Sequence, residues 1–101
     1  DDLSAEQRQT LLAVMQRTSS GKRRLKAGLG SGVSFAHKTG TQQRRSCDAG
    51  IAKRDNVEKT TEGPWVIVSC ARGPVAVNAH ERALASVGEA LRYSGALGKP
   101  W

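Results

Sequence analysis

The sequence is poor in aromatic residues: two Trp, one Tyr and one Phe in 101 residues. Stacking platforms for unpaired bases are therefore scarce, which argues against single-strand nucleic-acid binding. No apolar run is long enough to span a bilayer. No basic-then-apolar leader opens the chain, which starts at Asp1-Asp2 without Met, as a processed or truncated product would. The two cysteines, Cys47 and Cys70, fit no metal-ligand spacing, so no metal site is expected. The glycines at 28, 30 and 32 match neither phosphate-loop pattern, and no cofactor is expected. Internal repeats and low-complexity segments are absent too.

What is present suits one domain or part of one. A chain of this length buries about two thirds of the surface its unfolded form exposes. Its apolar fraction, 38%, is low for an independent unit and points to a core shared with residues from elsewhere. The formal charge is +7, from 16 Lys+Arg against 9 Asp+Glu. That balance suits an anionic partner, whether nucleic acid, an anionic surface or a carboxylate substrate. It equally suits a solvated basic surface on a secreted protein. Cys47 and Cys70 stand either as two buried thiols or as one disulfide. Facing positions on neighbouring strands, in an oxidising compartment, would permit the bridge.

Along the chain, Ser4 can cap a helix over 4–18, with Gln7 completing a capping box and Glu6 near the positive end. Leu11, Leu12, Val14 and Met15 form its apolar side. Gly21 suits a left-handed turn after it. Residues 22–26 are basic, and a flexible loop through residue 32 follows. Strands are expected at 33–41, 46–53 and 65–71, the last nearly all apolar and so central, covered on both faces. Residues 54–56 and 60–64 make a hairpin connection. A second helix is expected at 79–93, with Asn78 as cap, Glu81 at the capping-box position and Ala83, Leu84, Val87, Ala90 and Leu91 as its stripe. On that pattern His80 faces solvent. The fold class is α+β: an antiparallel three-stranded sheet with flanking N-terminal and C-terminal helices.

The stretch Val33-Ser34-Phe35-Ala36-His37-Lys38-Thr39-Gly40-Thr41 organises the chain. Val33, Phe35 and His37 share one strand face; Ser34, Ala36 and Lys38 share the other. It ends by presenting an ammonium, a hydroxyl and a backbone without side chain, which suits a carboxylate or carbonyl ligand. This stretch, with the apolar strand and C-terminal helix after it, resembles the last third of a class A serine β-lactamase. More broadly it is similar to the penicillin-recognising serine hydrolases. The Leu3-Ser4 helix, the Thr18-Ser19-Ser20-Gly21 turn and Arg24-Leu25-Lys26-Ala27-Gly28-Leu29 resemble the segment that precedes the motif in that family. The likeness is specific over 24–41 and 65–93 and loose over 42–64.

The resemblance implies that residues 1–101 are the C-terminal segment of a larger β-lactamase-like α/β sandwich, periplasmic or secreted. It implies that Lys38 raises the positive potential beside a nucleophilic serine, Thr39 hydrogen-bonds the substrate carboxylate, and Gly40 leaves room for the substrate. The Thr41 N–H would be one oxyanion donor. Arg24, fourteen residues before Lys38, would reach toward the carboxylate. His37 stands where the family often has Asp and is expected to pack behind the strand. The family also needs a Ser-x-x-Lys at a helix start and a Ser-Asp-Asn turn, and in class A a deacylating Glu. Ser19-Ser20-Gly21-Lys22 matches the first as a string, but where a helix ends; the other groups are absent. The chain alone is expected to be inactive, with a β-lactam or peptidoglycan-like substrate handled only together with an N-terminal part of the same enzyme. Two alternatives are a penicillin-binding D-alanyl peptidase relative and a small basic module that binds nucleic acid or an acidic protein through residues 22–26 and Arg44-Arg45.

Overall fold

The computed structural model describes residues 2–18, 20–55 and 64–98. The first helix starts with a reciprocal cap. The Gln7 N–H donates to the Ser4 hydroxyl at 3.0 Å, and the Ser4 N–H donates to the Gln7 side chain at 2.9 Å. This helix, α1 (Ala5–Gln16), buries none of its residues. Leu11 and Val14, on the expected apolar side, are 49% and 51% exposed. Gly21 has φ +76°, the left-handed conformation that the turn requires.

The expected loop up to residue 32 is instead partly helical. Leu25 and Leu29 lie four residues apart, on one face of a short helix, α2 (Leu25–Leu29), and both are fully buried. Three strands follow: β1 (Val33–Gln42), β2 (Arg45–Arg54) and β3 (Trp65–Arg72). They form an antiparallel sheet in the order β1-β2-β3. Asp55 donates its N–H to the Gly32 carbonyl where β2 leaves the sheet. Most of the expected hairpin connection after it lies outside the described residues.

The register sorts the sheet into two faces. Thr39 sits opposite Asp48, Thr41 opposite Ser46 and Phe35 opposite Ala52, all on the inner face. Lys38, Gly40 and Gln42 share the outer face with Ala49, Cys47 and Arg45, then Val68, Cys70 and Arg72. Cys47 and Cys70 are directly paired and form a disulfide, with Cα atoms 4.1 Å apart. The core gathers Leu25, Leu29, Val33, Phe35, Ala52, Ile67 and Leu97, with Trp65 and Leu91 packed against it.

β3 departs from expectation. It lies at the edge of the described sheet, β2 is central, and Val66 and Val68 are 76% and 69% exposed. A nearly all apolar strand has too little period for an open face to be read from it; pairing order reveals it. The last helix, α3 (Val77–Ser94), also differs. Its N-cap is Ala76 without a side-chain cap, so neither Asn78 nor Glu81 plays the expected capping role. Its buried residues are His80, Leu84 and Gly88, whereas Ala83, Val87 and Ala90 are exposed. The helix is rotated toward its small and polar residues because it crosses α2 backbone to backbone. No described helix is long and apolar enough to cross a membrane.

That crossing admits only glycine. A methyl on Gly88 would strike the Leu25 carbonyl and sit 3.0 Å from the Leu29 nitrogen. One on Gly28 would strike the Ala85 carbonyl. Helix propensity alone would make Gly88→Ala stabilising by about 1 kcal/mol. The clash is with backbone and should win, lowering the unfolding free energy by about 1–3 kcal/mol. Urea unfolding of the variant decides; a gain in stability would show that the helices can part without cost.

Candidate active site

Arg24 begins α2 and points into the protein, only 4% exposed. Its Nη1 donates to the Gly40 carbonyl at 3.1 Å and the Cys47 carbonyl at 2.7 Å. Nη2 donates to the Thr41 hydroxyl at 2.6 Å, and Nε donates to the Glu81 carboxylate at 3.4 Å. Four bonds from a group with five donors leave one N–H. One guanidinium therefore ties the end of β1 to β2 and to α3. A basic run usually lies in solvent; within it, only the family resemblance singled out Arg24, from its spacing to Lys38.

The other candidate residues stand along the end of β1, on both of its faces. Lys38 is exposed on the outer face, and its Nζ donates to the Thr39 carbonyl at 2.8 Å. The Thr39 hydroxyl lies 3.4 Å from the Ser20 hydroxyl, which joins the strand to the preceding turn. A methyl on Gly40 would meet nothing within 4 Å. Gly40, Thr41, Gln42, Arg45 and Cys47 line a cavity of about 300 Å³. Arg24, Gly40 and Thr41 are thus brought together directly, whereas Lys38 and Thr39 extend the same edge on either side of it.

Behind this edge sits a polar pair that sequence inspection overlooked. His37 Nδ1 lies 2.8 Å from Asp48 Oδ1, with both side chains fully buried. The His37 ring stacks on Phe35, with centroids 5.0 Å apart. Burial pushes the Asp48 carboxyl above its ordinary 3.8. The hydrogen bond and charge of His37, the Leu25 N–H and the Arg24 charge pull it back only in part. One signal was available: Asp48 alternates in step with Gly50 and Ala52, both inward. His37 does pack behind the strand. His80, expected in solvent, is 4% exposed. Its Nε2–H donates to the Gly73 carbonyl at 3.1 Å, which leaves Nδ1 to accept the Ser46 hydroxyl at 3.1 Å.

Among the described residues, a three-stranded antiparallel sheet with Lys-Thr-Gly at the end of an edge strand, and two helices on its inner face, is an arrangement found in β-lactamase folds. The model of the Beta-lactamase enzyme family matches residues 1–93, and the chain belongs to that family. Among solved structures it is similar to PBP-A, at 28% identity and TM-score 0.77, over 91% of this chain and 32% of that one. It is similar to a β-lactamase from Xanthomonas campestris pv. campestris, at 27% identity and TM-score 0.78, over 89% of this chain and 33% of that one. It is also similar to the putative class A β-lactamase PenP from Rhodopseudomonas palustris, at 27% identity and TM-score 0.76, over 95% and 35%. The chain thus spans about a third of the length of these structures. No curated protein matches it.

Two outcomes test the site's construction. Arg24→Ala strands the Gly40 and Cys47 carbonyls and the Glu81 carboxylate, and should cost about 3 kcal/mol. Arg24→Lys, a point charge in place of a fork, should recover only part of that. Unchanged urea midpoints would refute the clasp. The second outcome concerns pH. An acid whose folded pKa is raised holds more protons folded than unfolded, so its stabilising contribution is full below 3.8 and is lost as pH rises through the raised value. Denaturation of wild type and Asp48→Asn across that range should show a fall in wild type that the variant lacks. Parallel curves would acquit Asp48.

Proposed function

We propose that this chain forms the carboxylate-binding and oxyanion-stabilising wall of a serine β-lactamase-like hydrolase. Gly40 carries the reading. A glycine within a strand weakens it, and here neither a positive φ nor a neighbouring atom demands one. The open space above it admits the edge of a substrate lying along β1, within the 300 Å³ cavity.

In this reading the Lys38 ammonium supplies positive potential, and the Thr39 hydroxyl donates to the substrate carboxylate. The Thr41 N–H donates to the oxygen that becomes negative when a serine attacks the amide carbonyl, worth roughly 3 kcal/mol in the transition state. Arg24 adds its charge from below and holds the Thr41 hydroxyl, rather than standing free in the cleft. The serine Oγ forms the acyl bond as the amide C–N bond breaks, and water then hydrolyses the ester. The nucleophile and its acid–base partners come from an N-terminal part of the enzyme, and the chain by itself does not turn over substrate. The exposed apolar residues Leu11, Val14, Val66 and Val68 offer that part a surface. The disulfide suits a periplasmic or secreted protein.

A second reading, a penicillin-binding peptidase, is favoured by the likeness to PBP-A, a single-substitution variant of which has been captured as an acyl-enzyme with penicillin G. A chromogenic cephalosporin separates the two: a lactamase turns it over, whereas a peptidase acylates and stalls. In the enzyme with its Ser-x-x-Lys part, Lys38→Ala should lower kcat/KM at least about tenfold, or roughly 1.4 kcal/mol. Wild-type kinetics would remove Lys38 from the site.

A further inference from the structure

The turn of the β1–β2 hairpin, next to the candidate site and sharing Gln42 and Arg45 with its lining, holds a larger cavity, of about 530 Å³. Gln42, Gln43, three arginines (Arg44, Arg45 and Arg72) and the Gly73-Pro74 turn line it, without any acidic residue. We propose that this cavity is a binding site for a multiply charged phosphoryl anion.

Two features of its construction weaken the protein unless an anion is bound, and a third holds the walls of the cavity in place. Arg45 and Arg72 are directly paired across β2 and β3, so two like charges face each other on the outer face. Arg44 has φ +64°, the left-handed conformation that glycine or asparagine adopts with less strain. A glycine there would ease the turn and remove a charge from the cavity. The third feature is a buried imidazole. His80 fixes the Gly73 carbonyl, Gly73 donates its N–H to the Arg44 carbonyl at 2.9 Å, and Ser46 holds the other side of the ring. This chain of bonds locks together the two loops that carry the arginines. Gln42 completes the cavity by accepting from Arg45 Nη2 at 2.7 Å.

The ligand class follows from charge and shape. One carboxylate needs one guanidinium fork, whereas three guanidinium groups lining one cavity match the oxygens of a dianionic or more highly charged phosphoryl group. The site is a hollow, not a track, and no aromatic ring lines it, so it is not built for the stacked bases of a nucleic-acid strand. A soluble phosphate ester and a phospholipid headgroup present the same chemistry.

The test is calorimetric titration of the full chain with sodium pyrophosphate at low salt, alongside sedimentation with phosphatidylglycerol vesicles. Saturable pyrophosphate binding is expected, weakened about tenfold or more by Arg72→Gln and by Arg44→Gly, and not by Lys22→Gln. Arg44→Gly should raise the melting temperature while it weakens binding, and Arg44→Lys should restore part of the affinity. Vesicle binding that pyrophosphate displaces would identify a headgroup as the source; saturable pyrophosphate binding without vesicle binding would identify a soluble ester. The proposal fails if pyrophosphate does not bind, if Lys22→Gln costs as much as Arg72→Gln, or if vesicles bind regardless of Arg72.

Discussion

A guanidinium taken out of water must find acceptors for its donors, because an unpaired buried charge is among the costliest things a small domain can contain. Arg24 finds them on three elements: the Gly40 carbonyl and Thr41 hydroxyl of β1, the Cys47 carbonyl of β2 and the Glu81 carboxylate of α3. Meeting that demand sets where α2 begins, how α3 lies on the inner face, and how the last turn of β1 is presented. The candidate catalytic edge is tied down by the acceptors that the buried cation behind it requires.

The same logic recurs at two smaller scales. The His37–Asp48 pair lies under the edge strand, and the His80–Ser46 pair lies under the hairpin end. Both occupy the inner face, where apolar packing would give more stability at less electrostatic cost. Each instead fixes a segment that carries a proposed site: the Lys38–Thr39 edge in one case, the arginine-lined loops in the other. The outer face differs. It carries Lys38, Gly40, the disulfide and a pair of exposed valines, an arrangement suited to a ligand and to further protein surface.

Local features were legible in the residues themselves. The Ser4–Gln7 box, the alternation of 33–41 and the inward step of 46–53 each depend on neighbours a few positions away. Features that depend on distant partners were not. His80 looked like a solvated residue in a first helical turn until Ser46 and Gly73 came to meet it. The apolar Trp65–Arg72 strand could not announce that one of its faces would be open. Gly28 falls in the expected loop and Gly88 within the expected helix, and together they form the contact on which α2 and α3 cross.

The sequence by itself determined the capped first helix, the three strands, the last helix, the alternation of 33–41 and a Lys-Thr-Gly motif specific enough to imply the family. Those properties are written in spacings of two to four residues, where sterics and hydrogen bonding act locally. Only the tertiary structure decided that Arg24 is a buried clasp, that Cys47 meets Cys70, that β3 is an edge and that three arginines share one cavity. Each of these joins residues sixteen or more positions apart or depends on strand order, and burial creates the demand for partners only once the chain has closed on itself.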